Sequence, residues 1–409
     1  MDNKEFIEHR KNVFDLMEDN SIMVVFSNLG SAFKNEVHRN FYYLTGVVEE
    51  EDIVMLYKKN NKLTEMIFIH PYDELKAKWV GTPLSVEEIK LKSGIFAVHY
   101  LEDWQQVLYR ILPDCKNLYL DFNRETYQQN LTAEELFAKE TKDKNPWIQI
   151  LNAHPIFAKV RTIKSKQEIE QIRKAISITK SGIESILSHI SPMMEYQLES
   201  YFDQAIKYHG ATGYSFPTIA ASGKNACCLH YQDNNCEMKD GDLVLFDLGA
   251  HYGMYCADIS RTFPVSGKFT PRQKEIYEIV LGGQEEVFRN AKPGITTKEL
   301  NQILVRYFAK ELKRIGLIQE DGEVSKYYYH GVSHHIGLDC HDLCEYTPLR
   351  AGSIISNEPG LYIAEEGIGI RIEDDVLITE TGCENLSKDI IKTVEDIENF
   401  IAKRKEEVK

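Results

Sequence analysis

Residues 241–262 restrict the fold of this chain more than any other segment, because they set two acids among apolar residues. The first half, Gly241-Asp-Leu-Val-Leu-Phe-Asp247, is typical of a buried strand that ends in a carboxylate. The second half can return as the antiparallel partner through a tight turn at Tyr252-Gly253. A symmetric hairpin about that turn predicts that Asp247 and Asp258 face each other, with Cβ atoms about 4.5–5.5 Å apart. Two carboxylates this close favour a bound cation or a shared proton; a solvated turn carrying two acids is the alternative.

A second group of candidate ligands is a stretch rich in histidine and glycine. It contains His330, His334, His335 and His341. A lone histidine is more often an ordinary core or surface residue, but four in one short stretch favour metal binding or proton transfer. Neighbours in an extended segment point in opposite directions, so these residues alone do not decide between His334 and His335 as a metal ligand.

Two further acids stand beside apolar strands. Glu358 precedes Pro359-Gly360, and the proline favours an extended backbone at Glu358. Residues 368–376 alternate with period two, so Arg371 and Glu373 share one face of a predicted strand. Arg371 can therefore orient or partly neutralise a carboxylate. A half-exposed strand with a surface ion pair is the alternative interpretation of this segment.

Together these segments offer two aspartates, two glutamates and one or two histidines. Four carboxylates and one neutral imidazole would balance the charge of two divalent ions. Oxygen-rich ligation with one histidine suits Mn²⁺, Co²⁺, Zn²⁺ or Fe²⁺. Two such ions about 3.5–4 Å apart can hold a bridging water, lower its pKa and stabilise the oxyanion formed at a carbonyl. The pattern therefore predicts a metal-dependent hydrolase acting on an amide.

The chain has 409 residues, a length that favours two domains. Helical and strand patterns alternate over residues 1–160, which indicates an α/β domain. A boundary is predicted near residues 152–165, where Ser165-Lys-Gln-Glu168 is a capping box that begins a long helix. Helices and strands are mixed in the remainder, so the predicted domains are 1–160 and 161–409.

Charge and hydropathy argue against several classes of protein. The formal net charge of −15 disfavours nucleic-acid binding. We find no apolar stretch long enough to span a bilayer and no signal-peptide core at the polar start, so a cytoplasmic location is expected. The eight cysteines include no CxxC pair and are interpreted as reduced thiols.

The order of these acids and of one histidine resembles the ligand order of the methionine aminopeptidase/prolidase superfamily, metallopeptidase family M24. The similarity is highest to the aminopeptidase P (Xaa-Pro aminopeptidase) branch and extends over nearly the whole chain. The motifs that carry the resemblance are Ser222-Gly-Lys-Asn-Ala-Cys-Cys-Leu-His230-Tyr231, Asp247-Leu-Gly, Ala257-Asp258-Ile-Ser-Arg-Thr-Phe-Pro-Val, the histidine-rich stretch from His330 to His341, Asn357-Glu358-Pro-Gly-Leu-Tyr362, Gly369-Ile-Arg371-Ile-Glu373-Asp-Asp and, near the start, Arg39-Asn-Phe-Tyr-Tyr-Leu-Thr-Gly46.

The resemblance implies an α/β (α+β) chain with a creatinase-like N-terminal domain and a C-terminal pita-bread catalytic domain. It implies that Asp247 chelates one metal ion, that Asp258 and Glu373 bridge both ions, and that His334 and Glu358 bind the other. In this register the ligand is His334 and not His335. The remaining implied roles are catalysis by His230, His341 and Glu358, substrate binding by His330, Tyr362, Trp79 and Asn40, and support of the ligands by Arg371.

The implied activity is hydrolysis of the bond between an N-terminal residue and a following proline, with a hydroxide bridging two divalent ions. Mn²⁺ is favoured, with Co²⁺, Zn²⁺ or Fe²⁺ as alternatives. Relatives commonly form homodimers or homotetramers, and Trp79 resembles an aromatic residue that reaches a neighbouring subunit's site. Asn40 stands where the family often has Asp, which removes a negative charge near the expected substrate amine. An Xaa-Pro dipeptidase (prolidase) and a non-catalytic binding protein on the same fold are the alternatives.

Overall fold

The computed structural model describes residues 1–27, 37–123 and 130–407, with side chains as far as Arg404. The chain divides into two compact units, Met1–Arg161 and Thr162–Lys409. Across the described ranges, no helix combines the length and the apolar character needed to cross a membrane.

The first unit combines helices with a mixed sheet. Its helices are α1 (Asn3–Leu16), α2 (Arg39–Thr45), α3 (Glu74–Val80), α4 (Val86–Ser93), α5 (Trp104–Ile111), α6 (Ala133–Lys144) and, at its end, α7 (His154–Thr162). Its strands are β1 (Ser21–Phe26), β2 (Ile53–Lys59), β3 (Lys62–Ile69), β4 (Ala97–Tyr100), β5 (Asn117–Leu120) and β6 (Gln149–Asn152). They lie in the order β4-β3-β2-β1-β5-β6. The β1–β2 and β2–β3 pairs are antiparallel, and the others are parallel.

The second unit surrounds several small sheets with long helices. Its helices are α8 (Lys166–His189), α9 (Glu195–Tyr208), α10 (Pro271–Asn290), α11 (Thr297–Arg314) and α12 (Val394–Glu407). Its strands are β7 (Gly213–Tyr214), β8 (Ile219–Ser222), β9 (Leu243–Leu248), β10 (Ala250–Tyr252), β11 (Tyr255–Cys256), β12 (Ile259–Pro264), β13 (Ile354–Asn357), β14 (Gly360–Ile363), β15 (Ile368–Arg371), β16 (Asp374–Ile378) and β17 (Cys383–Asn385). The sheets are β12-β9-β8, β11-β10-β7, β13-β16-β17 and β14-β15.

The capping box predicted at the start of α8 is present. The Ser165 hydroxyl accepts a hydrogen bond from the Glu168 amide at 3.2 Å, and the Glu168 carboxylate accepts one from the Ser165 amide at 2.8 Å. These two bonds satisfy amides that a helix N-terminus otherwise leaves unpaired, so the sequence pattern marks the first turn of α8 correctly.

The predicted register of the acidic hairpin is wrong by two residues. Strands β9 and β12 pair Asp247 with Ser260, not with Asp258. The turn lies one residue later than expected, at Gly253 and Met254, which have φ angles of 55° and 69°. Two successive positive φ values are typical of a type I′ hairpin turn. Because the shift is an even number of residues, Asp247 and Asp258 keep the same face and become diagonal neighbours.

Candidate metal centre and active site

A cavity of about 520 Å³ in the second unit collects most of the residues that the sequence singles out. Its polar lining consists of His230, Gln232, Asp247, Asp258, His330, Ser333, His334, Cys340, His341, Glu358, Arg371 and Glu373. An apolar wall is formed by Phe216, Pro217, Ile219 and Leu229. The cavity therefore joins a floor of acids and histidines to a surface that can receive an apolar side chain.

The four predicted acidic ligands reach this cavity from the ends of short strands or directly beside them. Asp247 lies near the end of β9, and Asp258 directly precedes β12. Glu358 follows β13, and Glu373 occupies the break between β15 and β16. Asp247 is therefore held within a paired strand, whereas Asp258, Glu358 and Glu373 lie just outside the strands that flank them. His334 is anchored to the same region, because its amide donates to Ser356 Oγ at 2.9 Å.

His334 lies at the centre of the acid cluster. Its Nε2 atom is 3.3 Å from Asp258 Oδ2 and 3.4 Å from Glu358 Oε1. Three ligand atoms, one each from Asp258, His334 and Glu373, lie within 4.8 Å of one another. His334 Nδ1 is 3.2 Å from the carbonyl oxygen of His335, which directs Nε2 towards the acids. His335 itself is buried away from the cavity lining.

Arg371 and Ser260 hold the other side of the cluster. Arg371 donates to Asp247 Oδ2 at 2.6 Å, to Ser260 Oγ at 2.7 Å and to Tyr362 Oη at 3.1 Å. Ser260 Oγ in turn lies 3.0 Å from Asp247 Oδ1 and 2.7 Å from Glu373 Oε2. The guanidinium and the hydroxyl therefore orient two carboxylates that come from different strands.

The acid cluster carries an excess of negative charge in a buried place. Burial raises the pKa of Asp247, with Arg371 opposing this and Asp258 adding to it. Burial, with Asp258 and Glu358 nearby, holds the pKa of Glu373 well above its usual range. Burial also raises the pKa of Glu358 to about 7. Each shift reports a carboxylate that is disfavoured as an anion unless positive charge is supplied.

Two observations show that these residues fit divalent cations. Glu373 Oε1 is buried and has no hydrogen-bond partner among the described residues. Burial alone would lower the pKa of His334, but the hydrogen bond to Asp258 and the charge of Glu358 raise it to about 9. The cluster thus holds an unpartnered carboxylate oxygen and attracts a proton to its imidazole, and a bound cation would satisfy both.

The other predicted histidines surround the cluster. His330 Nε2 is 2.9 Å from Tyr362 Oη, and its Nδ1 is 3.8 Å from Glu358 Oε2. Burial and Arg371 lower the pKa of His330 to about 4, so its ring is neutral near pH 7. The His341 ring lies 4.1 Å from the His334 ring between centroids, and burial lowers the pKa of His341. His230 lines the cavity.

Asn40 and Trp79 belong to the first unit and are not among the residues that line this cavity. Asn40 is 1% exposed; its side-chain nitrogen donates to Asp121 at 2.6 Å and its oxygen accepts from Arg161 at 2.8 Å. Trp79 is 82% exposed on α3, a helix with no buried residue. The substrate-binding roles of both residues stay predictions.

Sequence reasoning missed three residues that support the site. Ser260 links Asp247 to Glu373, as described above. The Cys340 thiol donates to Asp258 Oδ2 at 2.8 Å and lines the cavity. Glu195, at the start of α9, is fully buried and accepts hydrogen bonds from the segment that carries His230. The period-two pattern around Ser260 marks a strand face, but no local pattern marks Cys340 or Glu195, because their partners are distant in sequence.

Comparison with known proteins places these findings in a family. The model of metallopeptidase family M24 matches residues 170–380, and that of the aminopeptidase P N-terminal domain matches residues 6–119. A Xaa-Pro aminopeptidase of Haemophilus influenzae is 34% identical, with 97% of each chain covered. A Xaa-Pro aminopeptidase of Escherichia coli is 33% identical, with 98% of this chain and 99% of the relative covered.

Solved structures agree with this placement. A protein from Bacillus anthracis superposes with a TM-score of 0.96 at 44% identity, covering 99% of each chain. Aminopeptidase P from Escherichia coli, solved in complex with substrate, has a TM-score of 0.90 at 32% identity and the same coverage. The predicted pita-bread fold, the aminopeptidase P-like N-terminal region and the predicted class, a metallo-exopeptidase that depends on divalent metal, are confirmed. The chain belongs to metallopeptidase family M24.

Proposed function

We propose that this protein is a Xaa-Pro aminopeptidase, which removes an N-terminal residue from a peptide whose second residue is proline. The observation that carries this proposal is the convergence of four carboxylates and His334 on the floor of a cavity with an apolar wall. The relatives at 33–34% identity over nearly their full length are named Xaa-Pro aminopeptidases. The dipeptidase alternative is therefore not favoured.

We assign the metal ligands from the same cluster. Asp247 would hold one ion, Asp258 and Glu373 would be shared between the two ions, and His334 and Glu358 would hold the second ion. When bound, the ions would lower the pKa of a water molecule and draw charge from the substrate carbonyl. Mn²⁺ is our preferred ion, because oxygen donors dominate and one imidazole completes the set; Co²⁺, Zn²⁺ and Fe²⁺ suit the same donors.

The protein's own side chains then handle protons and orientation. Glu358 is placed to accept a proton from the attacking water and return it to the leaving amine, because it lines the cavity beside His334. His230 and His341 hold the substrate from the cavity wall and donate to the oxygen that gains charge. Neutral His330, fixed by Tyr362, presents an uncharged ring that can pack against proline. Arg371 keeps Asp247 in place.

The remaining assignments concern the rest of the molecule. We propose that residues 1–160 form the aminopeptidase P N-terminal domain and that residues 161–409 form the catalytic domain. A homodimer or homotetramer in which exposed Trp79 meets a neighbouring copy is part of the proposal, and light scattering of the purified protein measures it. Asn40 is proposed to bind the substrate near its amine, and its amide also bonds Asp121 and Arg161. The cytoplasm stays the predicted compartment.

The central experiment strips the metal from the purified protein and restores Mn²⁺, Co²⁺ or Zn²⁺ one at a time. Each form is assayed with an Xaa-Pro dipeptide, an Xaa-Pro-Yaa tripeptide and an Xaa-Ala-Yaa control. We expect cleavage of the tripeptide, little cleavage of the alanine control and none without metal. Cleavage confined to the dipeptide would identify a prolidase, and absence of cleavage with every ion would support a binding protein.

A matched pair of variants tests the ligand assignment itself. Asp258→Asn should abolish turnover and reduce the metal bound per chain, because the amide has lost the charge that a bridging ligand supplies. Asp240→Asn, at an exposed acid outside the cavity, should change neither quantity. Full metal content and activity in Asp258→Asn would remove the two-ion assignment.

A further inference from the structure

The first unit contains a second cavity, of about 460 Å³. Its walls come from the segment before β2, the end of β3, helix α3 and the loop leading into α4. The lining residues include Glu49, Asp52, Ile69, Asp73, Lys76 and Ile89. All of them belong to the first unit, and none takes part in the metal centre.

The lining is strongly acidic. Glu49, Glu50, Asp52 and Asp73 supply four carboxyl groups, and Lys76 is the one lysine or arginine among the described lining residues. Two of these carboxyl groups also bond the backbone. Glu49 accepts a hydrogen bond from the Leu84 amide at 3.1 Å, and Asp73 caps α3. The electrostatic potential of the cavity is nevertheless negative and attracts a cation.

Asp52 provides an independent sign of a missing ligand. The residue is 3% exposed, lines the cavity, and its Oδ2 atom has no hydrogen-bond partner among the described residues. The backbone groups of Asp52 are both hydrogen-bonded, because its amide donates to Ser27 Oγ and its carbonyl accepts from the Ser27 amide. A buried carboxyl oxygen without a partner is unfavourable, and a donor from a ligand would remove that cost.

The rest of the lining is apolar. Val37, Ile69 and Ile89 are buried, and Val80 and Leu84 add further aliphatic surface. A hydrated divalent ion would gain nothing from these side chains and would lose water against them. A cationic group carried on an aliphatic chain matches both parts of the cavity, since its charge can meet the acids while its chain covers the apolar wall.

We propose that this cavity binds an organic cation, an ammonium or guanidinium group on a short aliphatic chain, and that Asp52 is its counter-ion. The site is separate from the peptidase cavity and goes beyond the proposed activity. Asp52 accepts the donor of the ligand at its unpartnered oxygen, and the neighbouring acids add long-range attraction. Lys76, on α3, opposes the binding of any cation.

The protonation state of Asp52 should change when a cation binds. Burial, and then the charge of Glu49, raise the pKa of Asp52 to about 8, while the His70 amide and Lys76 act in the opposite direction and Glu51 adds to the rise. The empty cavity therefore holds a protonated Asp52 at pH 7. A cation that pairs with the carboxylate must displace that proton, so binding releases close to one proton per chain.

The test uses the full-length protein and isothermal titration calorimetry at pH 7. The probes are n-butylammonium, n-butylguanidinium, neutral n-butanol and Mg²⁺. Titrations in buffers of different ionisation enthalpy measure the proton released. We expect both organic cations to bind with proton release, and n-butanol and Mg²⁺ to bind at least tenfold more weakly. Equal binding of n-butanol, or binding of Mg²⁺ alone, would overturn the proposal.

Variants identify the counter-ion. Asp52→Asn, nearly isosteric with the protonated acid, should lose binding at least tenfold and lose proton release, whereas Glu102→Gln, at an exposed acid outside the cavity, should bind as the parent does. Lys76→Met, at an exposed position, should tighten cation binding severalfold, and this variant keeps the test valid if Asp52→Asn fails to fold. Unchanged affinity in either Asp52→Asn or Lys76→Met would remove the proposed site.

Discussion

At the scale of single residues, Arg371 shows how the protein tolerates several carboxylates in one buried place. It is 4% exposed and bonds Asp247, Ser260 and Tyr362, so one guanidinium fork connects a ligand, the hydroxyl that joins two ligands, and the phenol that fixes His330. A lysine could not make these divergent contacts, because its ammonium lacks the planar fork.

Replacement of Arg371 by Met should destabilise the metal-free protein more than the metal-loaded one. Without its cation, Asp247 is left largely buried and unpaired, and loss of one partner of such a pair costs about 3–5 kcal/mol. Bound Mn²⁺ supplies positive charge to the same carboxylate and should restore part of this loss. Urea denaturation of the metal-free and Mn²⁺-loaded forms measures the free energy of unfolding of each. The control is Arg306→Met, at an exposed position on α11, whose free energy of unfolding should lie within about 0.5 kcal/mol of the parent. Equal losses of stability in the metal-free and metal-loaded forms of Arg371→Met would contradict the argument.

Asp52 should make the stability of the protein depend on pH. Its pKa is 3.8 in the unfolded reference and about 8 in the folded chain, so the folded state binds the additional proton between these values. The contribution to stability is complete below pH 4 and is lost as pH rises towards 8. Between pH 5 and 7, the free energy of unfolding of the parent should therefore fall relative to Asp52→Asn by up to about 1.4 kcal/mol per pH unit. A difference that does not change with pH would contradict the raised pKa.

At the scale of elements, the site depends on a loop that a helix end holds in place. Glu195, the first residue of α9, accepts from the Ser222 amide and hydroxyl and from the Asn225 side chain through Oε1. Through Oε2 it accepts from Tyr231 Oη at 2.8 Å and from the Cys236 amide at 2.9 Å. One carboxylate therefore closes the segment that presents His230, the residue before Tyr231.

Glu195→Ala should lower activity without removing the metal ligands. Several buried donors would lose their acceptor, so we expect a loss of at least about 3 kcal/mol in stability. We also expect a fall of at least tenfold in kcat/KM, because His230 loses its fixed position. Metal content per chain should stay at the parent value, since no ligand lies on this segment. Glu170→Gln, at an exposed position on α8, serves as the control; a variant that loses metal together with activity would indicate general unfolding instead.

The acidic hairpin shows what element-level sequence reasoning can and cannot reach. Alternation places Asp247 and Asp258 on one face, and the structure has them there. The predicted strand pairing is wrong by two residues, because the sequence alone does not reveal that Met254 adopts a positive φ beside Gly253. Asp247 and Asp258 nevertheless both line the cavity, and Asp258 directly precedes the return strand β12.

At the scale of the whole molecule, the chain carries two units with separate cavities and separate chemistry. The predicted metal ligands gather in Thr162–Lys409, whereas the acidic cavity around Asp52 lies in Met1–Arg161. A ligand that binds only the folded form stabilises the unit that holds it. The two units should therefore respond to different ligands in one thermal denaturation experiment.

Mn²⁺ at one hundred times its dissociation constant should stabilise the second unit by about 2.7 kcal/mol. Differential scanning calorimetry should show that the Mn²⁺-loaded protein unfolds at a higher temperature than the metal-free protein. Asp258→Asn should lose the shift, while Asp240→Asn should retain it. A shift of equal size in Asp258→Asn would show that Mn²⁺ binds outside the cluster.

The sequence by itself determined the α/β character of the first unit, the capping box of α8, the family and the identity of the clustered acids. These features depend on local periodicity and on short motifs, which a single chain displays directly. Only the tertiary structure decided that the hairpin pairs Asp247 with Ser260 and that Glu195 and Cys340 support the site. It also revealed the acidic cavity around Asp52. Each of these depends on contacts between residues far apart in sequence, whose distances follow from packing and not from any local pattern.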